Sequence, residues 1–417
     1  MSSEVARFGD LFNEPQRNGL TRPKKVRGSG LPMVNMGELF AYPRILNIPM
    51  DLVPVDEKEH HYLLQDGDLL FARQSLVLSG AGQCSIFLGN DAPTVFESHL
   101  IRCRLNPTRS NPLFYFYFFR SPDGRRAIEA IVEQGAGASG IRGSDLVNVQ
   151  VPNPPKQIQD EVARLLGSLD DRITLLRETN TTLEGIAQAL FKSWFVDFDP
   201  VHAKMQGRTP EGMDEATAAL FPDSFEDSEL GPVPKGWKTY AVGELLVPKR
   251  GKSITKSKCI DGDIPVVAGG LEPAYFHNQS NVSSPVVTIS ASGANAGFVR
   301  LYQQDIWASD CSFVSKEQTD SIYFWYVFLK FNQDNIYFMQ QGAAQPHIYP
   351  SDLMRLNICM PKSNELSQLF HEFISPLFEK VGLTNGKIQT LSTLRDTLLP
   401  RLISGQLRVE EAAEVLA

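Results

Sequence analysis

The chain has 417 residues, of which 42% are hydrophobic and 21% are charged. This length exceeds one ordinary core and predicts two or three domains, and the composition excludes global disorder. No run of about 18 apolar residues occurs, so the sequence predicts no membrane span.

The formal net charge of −8 is unevenly distributed along the chain. Residues 156–236 carry 8 basic and 15 acidic side chains, whereas the regions on either side are close to neutral. Because a neutral region can hold a local basic face, the acidic total does not exclude a nucleic-acid partner.

The first residues and the cysteines indicate the compartment. The opening MSSEVARFGDLF lacks the apolar stretch and the cleavage site of a signal peptide. The five cysteines are scattered and form no C-x-x-C pair, which excludes a disulfide framework and a zinc knuckle and fits a reducing environment. We therefore expect a cytoplasmic protein without a metal site.

Residues 1–155 and 237–362 are predicted to be two α+β globules of one kind. Both mix β-like runs with loops and short helices. QGAGASGIRGSDLVNVQVPNP (134–154) aligns without a gap with QGAAQPHIYPSDLMRLNICMP (341–361), and eight of the 21 pairs are identical. The sequence therefore predicts an internal duplication.

A long helix is predicted after each globule. Residues 156–199 contain no proline and place apolar side chains at the three- and four-residue spacing of an amphipathic helix. A helix of more than about 30 residues rarely lies alone on one globule, so a partner helix is expected. Residues 363–417 show similar spacing, but Pro376 and the Asn385-Gly386 pair predict a kink or a break.

The segment between the two copies, residues 200–236, is rich in proline, glycine and acidic residues. This composition is typical of an exposed connector. The predicted order is therefore globule, long helix, acidic connector, globule, long helix.

The sequence contains only weak matches to the motifs of catalytic and cofactor-binding sites. GAGASG (135–140) satisfies G-x-G-x-x-G, but a predicted helix precedes it and a predicted strand follows it, the reverse of a cofactor-binding turn. NPPK (153–156) resembles the N-P-P-aromatic tetrapeptide of amino-methyltransferases, but Lys156 cannot stack on a flipped base. No P-loop, G-x-S-x-G or H-E-x-x-H motif occurs, so we predict no catalytic residue on this chain.

Two aromatic runs and one basic run each fit either nucleic-acid binding or a role without a ligand, in a core or in a solvated loop. The aromatic runs FYFYFF (114–119) and YFWYVF (323–328) fall at matching places in the two copies. They can stack on bases, but runs this dense favour a core. KRGKSITKSK (249–258) fits either phosphate binding or a solvated loop. Its candidate phosphate ligands are Lys249, Arg250, Lys252, Lys256 and Lys258.

Several segments resemble the specificity subunit of type I restriction–modification systems. They are the central LFKSWFVDFDPVHAKMQGRTPEGMDEATAALFPDSFEDSELGPVPKGW (190–237), the distal TLRDTLLPRLISGQL (393–407), and the Ser-Asp-Leu, alternating strand and proline that close each globule. The resemblance implies target recognition domains at 1–155 and 237–362. It also implies a central conserved helix at 156–199, a connector at 200–236 and a distal conserved helical segment at 363–417.

By this resemblance the chain is a non-catalytic DNA reader. Each target recognition domain would read one half of a bipartite site in double-stranded DNA. The two helices would pair as an antiparallel coiled coil, space the domains and dock two methyltransferase subunits, which restriction subunits join. S-adenosylmethionine, ATP and Mg²⁺ would belong to these partners, with no cofactor on this chain. The alternatives are a methyltransferase with its own S-adenosylmethionine site and a scaffold without DNA specificity.

The loops around the repeated Ser-Asp-Leu are the predicted readout segments, because they share a frame and differ in side chains. Their candidate residues are Ser139, Arg142 and Ser144 in the first copy and His347, Tyr349 and Ser351 in the second. For Ser144 and Ser351 we favour a helix or turn cap over DNA contact.

The end of the first long helix is too aromatic for a solvated helix. We assign it to the join between helix, globules and methyltransferase subunits, with a local core as the alternative. Its residues are Leu190, Phe191, Trp194, Phe195 and Phe198.

Overall fold

The computed structural model of this chain describes residues 4–135, 137–228, 231–342 and 345–416. They form two compact units: unit 1 runs to Leu175 and resumes at Ile388, and unit 2 is Leu176–Lys387. Ala136, Ala343 and Ala344 of the repeated loops lie outside the described residues. Of the helices that are described, none is long and apolar enough to cross a membrane.

Unit 1 is an α+β domain. Its strands are β1 (Val5–Arg7), β2 (Phe12–Asn18), β3 (Leu31–Val34), β4 (Arg44–Ile45), β5 (Asp51–Val53), β6 (Leu69–Ala72), β7 (Gln74–Ser75), β8 (Cys84–Phe87), β9 (Val95–Phe96), β10 (Leu100–Leu105), β11 (Glu133–Gln134), β12 (Ser139–Gly140) and β13 (Gln150–Pro152). Its short helices are α1 (Met36–Ala41), α2 (Pro112–Arg120), α3 (Pro122–Glu129) and α4 (Gly143–Leu146). Helix α5 (Lys156–Phe195) begins in unit 1 and ends in unit 2.

Unit 2 has the same class of fold. Its short helices are α6 (Asp199–Met205), α7 (Glu215–Ala219), α8 (Ile322–Phe331), α9 (Gln333–Phe338) and α10 (Pro350–Leu353). Its strands are β14 (Phe225–Ser228), β15 (Gly231–Pro234), β16 (Trp237–Ala241), β17 (Lys249–Arg250), β18 (Ile264–Val267), β19 (Tyr275–His277), β20 (Val286–Ser290), β21 (Val299–Tyr302), β22 (Trp307–Ala308), β23 (Cys311–Val314) and β24 (Asn357–Pro361). Helix α11 (Glu365–Ile403) begins in unit 2 and ends in unit 1, to which α12 (Val409–Leu416) also belongs.

Corresponding sheets occur in the two units. The main sheet has the strand order β2-β10-β6-β8-β4 in unit 1 and β17-β23-β20-β21 in unit 2. A smaller sheet, β5-β3-β9 or β19-β18-β22, combines one antiparallel and one parallel pair in each unit. A terminal antiparallel pair, β1 with β13 or β16 with β24, completes each set. The duplication predicted from the sequence is therefore a duplication of fold.

The two aromatic runs form buried helices. All the side chains from Phe114 to Phe119 are buried in α2, and all those from Ile322 to Leu329 are buried in α8. The Asn111 side chain accepts a hydrogen bond from the Leu113 amide at 2.9 Å, which satisfies a free donor at the start of α2. The core interpretation of both runs is confirmed, because buried rings are not available to bases.

The two long helices are continuous, with 40 residues in α5 and 39 in α11. The helix predicted after the first globule is confirmed. Of the kink or break predicted at Pro376 and Asn385-Gly386, the break is wrong, because α11 runs through both places. Burial of one face stabilises the helix against the unfavourable propensities of proline and glycine. The buried residues on that face are Phe370, Ile374, Phe378 and Val381.

Within unit 2, α5 and α11 are antiparallel. The Trp194 ring lies 5.3 Å from the Phe370 ring. Further from the end of α5, Asn180 Nδ2 donates to Asn385 Oδ1 at 2.8 Å. Residue numbers thus rise along α5 while they fall along α11.

Within unit 1, a largely buried carboxylate joins α5, α11 and α2. Asp170 accepts hydrogen bonds from Arg395 Nη1 at 2.6 Å and from the Tyr117 hydroxyl at 2.7 Å. Burial raises the pKa of Tyr117, so the phenol stays protonated and donates. Each carboxylate oxygen therefore has a partner, as burial requires.

The acidic connector contains regular structure, namely α7, most of α6 and the β14–β15 hairpin. Val201, Phe221 and Val233 are buried in unit 2. The Phe221 ring packs 5.4 Å from that of Trp194. The prediction of an exposed connector is wrong at these positions: the composition reflects surface turns, whereas the isolated apolar side chains belong to a core.

Candidate nucleic-acid interface

In unit 1 the predicted readout loop is a short β-structure attached to the main sheet. Strand β12, which carries Ser139, pairs with β11 on one side and with β7 on the other. The next residue after β12, Ile141, is buried, and its amide donates to the Arg73 carbonyl at 3.0 Å. Arg142 is exposed and forms an ion pair with Glu133 at 2.7 Å. The loop is thus anchored by its backbone and leaves a guanidinium on the surface.

In unit 2 the equivalent loop has the same anchoring and different side chains. His347 exchanges two backbone hydrogen bonds with Gln341, at 2.8 and 3.0 Å. Ile348 is buried, and its amide donates to the Ala291 carbonyl at 3.0 Å. The His347 ring stacks with the half-exposed Tyr349 ring, with centroids 6.1 Å apart. An imidazole and a phenol therefore occupy the place that Arg142 holds in unit 1.

Two glycines that the sequence reasoning missed support these loops. Gly82 and Gly297 have positive φ angles of 66° and 86°. A Cβ atom would lie 2.3 Å from Ile128 Cγ2 at the first and 2.9 Å from Ile336 Cγ2 at the second. Only glycine fits such a backbone beside such a contact. The G-A-G and G-A-N-A-G segments that follow β7 and β20 were the available signal.

The helix-cap interpretation of Ser144 and Ser351 is wrong. Each is the second residue of its short helix, and the residues before those helices are Arg142 and Tyr349. In unit 2 the Tyr349 amide donates instead to Asp352 Oδ2 at 2.9 Å. Both serines are exposed and remain candidates for contact with DNA.

The structure divides the basic stretch 249–258 into two parts. Lys249 is paired with Glu317 at 2.8 Å, and Arg250 with Asp310 at 2.6 Å. Lys252, Lys256 and Lys258 are exposed, and no described acidic residue pairs with them. These three lysines are therefore the freer cations of the stretch.

A basic segment in unit 1 was missed. Residues 22–27 (RPKKVR) follow β2 as residues 254–259 follow β17. The signal was four cationic residues in six, with no acidic residue among them.

The aromatic end of α5 lies mostly in the core of unit 2. Phe191, Trp194 and Phe195 are at most 4% exposed, and Leu190 and Phe198 are partly buried against the same core. The first three therefore join the helix to unit 2, and their packing is that of the local-core alternative, whereas contact with methyltransferase subunits stays a prediction. The reason for this packing is that α8 and α11 supply the apolar partners within this chain.

Three of the five cysteines are buried. Cys84, Cys103 and Cys311 are buried, and burial raises the pKa of each thiol, that of Cys311 to about 12. A thiol that stays protonated is a poor nucleophile. Across the described ranges, no cluster of three His, Cys, Asp or Glu residues could hold a metal ion.

Two units of one fold, each with an anchored loop of different side chains, define a two-domain recognition protein. The family described as the type I restriction modification DNA specificity domain matches residues 3–185 and 234–393. The chain therefore belongs to the type I restriction–modification specificity subunits.

Two related proteins and one solved structure agree with this family assignment. The MjaIX specificity subunit of Methanocaldococcus jannaschii is 27% identical over 320 residues, which cover 72% of this chain and 69% of that protein. The HindI specificity subunit of Haemophilus influenzae is 27% identical over 409 residues, covering 82% and 87%. The crystal structure of the type I S subunit from M. genitalium has the same fold, with a TM-score of 0.55 at 18% identity and coverage of 96% and 95%.

Proposed function

We propose that this chain recognises a bipartite site in double-stranded DNA and that each unit reads one half-site. The observation that carries the proposal is the shared backbone frame of the two loops, in which Ile141 and Ile348 are anchored alike. Because the side chains beside these anchors differ, equivalent surfaces can contact different bases. The two half-sites then need not have the same sequence.

The exposed side chains suit contacts at base edges. Arg142 pairs with Glu133 at the surface, where an ion pair contributes at most about 1 kcal/mol, so exchanging the carboxylate for a guanine edge costs little. The His347 imidazole and the Tyr349 hydroxyl can both donate and accept hydrogen bonds. The three residues can thus read different base patterns.

Family membership supports methyltransferase and restriction subunits as partners. We propose that two methyltransferase subunits dock on α5 and α11, which pair as an antiparallel coiled coil, and that restriction subunits join this core. The chain acts in the cytoplasm and is non-catalytic. S-adenosylmethionine, ATP and Mg²⁺ belong to the partners, so calorimetry of the isolated chain with S-adenosylmethionine should detect no binding.

Exchanging the loops tests the proposed readout. Residues 139–143 are replaced by residues 346–350, and the full chain is assembled with its methyltransferase subunits. Bound sequences are then selected from random duplexes. We expect the half-site read by unit 1 to change or weaken and the other half-site to be retained.

A matched control changes exposed positions of unit 1 outside the loops and outside α5 and α11, with Gln65→Ala and Asp66→Ala before β6. It should leave both half-sites unaltered. An unaltered selection profile after the loop exchange would remove these loops from the readout.

A further inference from the structure

A second pair of equivalent segments follows the first strand of each main sheet. Residues 21–27 (TRPKKVR) come after β2, and residues 253–259 (SITKSKC) come after β17. Neither segment contains an acidic residue. Aligned on the backbone, their sequences share only the lysine at positions 24 and 256.

Backbone hydrogen bonds establish the equivalence. The Leu20 amide donates to the Phe96 carbonyl of β9 at 2.8 Å. The Lys252 amide donates to the Ala308 carbonyl of β22 at 2.9 Å. Both β9 and β22 pair in parallel with the middle strand of the smaller sheet. The two segments therefore leave the same point of the fold.

Each segment then forms a three-residue 3-10 turn, Lys24–Val26 in unit 1 and Lys256–Lys258 in unit 2. The Arg27 amide closes the first turn on the Lys24 carbonyl at 3.2 Å. The Cys259 amide closes the second on the Lys256 carbonyl at 3.1 Å. Two different sequences thus adopt one turn in one place.

Each turn presents two lysines without ionic partners among the described residues. They are Lys24 and Lys25 in unit 1 and Lys256 and Lys258 in unit 2, and all four are exposed. In unit 1 the flanking arginines are occupied: Arg22 pairs with Glu59 at 2.5 Å. Arg27 pairs with Asp51 at 2.7 Å. The arginine charges are thus neutralised within unit 1, whereas no described acidic residue neutralises the lysine charges.

Free lysines on a fixed turn suit the phosphate backbone of DNA. A lysine ammonium is a compact charge that contacts phosphate without reading bases. A chain of net charge −8 needs such local cations to approach a polyanion. Backbone contacts fix the register of a protein on a duplex, which a loop that reads bases requires.

We propose that the two 3-10 turns are the phosphate anchors of the two units. In each unit the two lysines bind the DNA backbone and hold the readout loop in register on its half-site. This inference rests on the proposed function. It adds to the readout loops a set of residues that supply affinity for DNA without sequence preference.

Salt dependence of binding tests the inference. The lysines of both turns are changed together by Lys24→Gln, Lys25→Gln, Lys256→Gln and Lys258→Gln, and the full chain is assembled with its methyltransferase subunits. Each lost phosphate contact should reduce the slope of log K against log salt by about 0.9, and four contacts by about 3 to 4. The loss of affinity should then be about 100-fold greater at 50 mM than at 200 mM salt. The selected sequence should not change.

A control of equal charge changes four exposed lysines outside the two turns and outside α5 and α11, namely Lys235, Lys238, Lys316 and Lys362, to glutamine. Its slope should remain close to that of the wild type. Arginine at the four anchor positions should restore the slope. Changing one turn alone should remove about half of the effect.

Three failures can be distinguished. A wild-type complex that selects a sequence, and whose slope falls no more in the anchor variant than in the control, would overturn the anchors alone. An effect confined to one turn would overturn the proposal that both units carry an equivalent anchor. A wild-type complex with no sequence preference would overturn the proposed function, and the register role with it.

Discussion

Removing the indole of Trp194 tests whether the aromatic end of α5 belongs to the core of unit 2. Trp194 is 3% exposed, and its ring lies 5.3 Å from that of Phe370 and 5.4 Å from that of Phe221. Trp194→Ala removes these contacts and leaves a cavity. Large-to-small changes of this kind cost about 3–5 kcal/mol. Trp194→Phe keeps part of the ring and should cost less.

Thermal unfolding of the isolated full chain measures this loss. For a unit of roughly 200 residues, each kcal/mol lowers the melting temperature by about 2–4 °C, so Trp194→Ala should lower that of unit 2 by about 6–20 °C. Phe338 belongs to the same unit and is 89% exposed. Phe338→Ala is therefore the matched control and should change the free energy of unfolding by less than about 0.5 kcal/mol.

Co-purification with methyltransferase subunits separates the two interpretations of Trp194. An unchanged melting temperature with loss of the partner would place the indole at a subunit interface and refute its assignment to the core. If neither the melting temperature nor the partner were affected, both interpretations would be wrong.

Two further predictions concern the loop support and a buried carboxyl. Gly82→Ala places a Cβ atom 2.3 Å from Ile128 Cγ2 on a left-handed backbone. Thermal unfolding should therefore show that the free energy of unfolding falls by about 1–3 kcal/mol. Gly37→Ala is the control and should cause no such loss, because nothing lies within 4 Å of its Cβ position. Burial raises the pKa of Glu184, so the folded chain binds the carboxyl proton more tightly than the unfolded chain does. Stability therefore falls as the pH rises from about 4.3, the pKa in the unfolded chain, through the raised pKa of the folded chain. Glu184→Gln should flatten that fall and raise the melting temperature at pH 7; an unchanged pH profile would contradict this.

Local sequence patterns predicted much of the fold. Apolar spacing and the absence of proline predicted α5, and the density of aromatic residues predicted the buried helices α2 and α8. Tertiary packing decided the rest. The run of α11 through Pro376 and the burial of Phe221 and Trp194 depend on partners far away in the sequence.

The candidate interface was predictable only in part. The gap-free repeat identified both readout loops, because Ile141 and Ile348 lie at the same place in matching segments. The two basic turns share almost no sequence, so only the backbone contacts of Leu20 and Lys252 show that they correspond. The supporting contacts of Gly82 likewise come from residues distant in the chain.

Selection of bound sequences from random duplexes, with the full chain and its methyltransferase subunits, tests the central claim most directly. We expect a consensus of two half-sites with different sequences, separated by a spacer in which no base is preferred. Enrichment of one uninterrupted sequence, or of none, would contradict the assignment of one half-site to each unit.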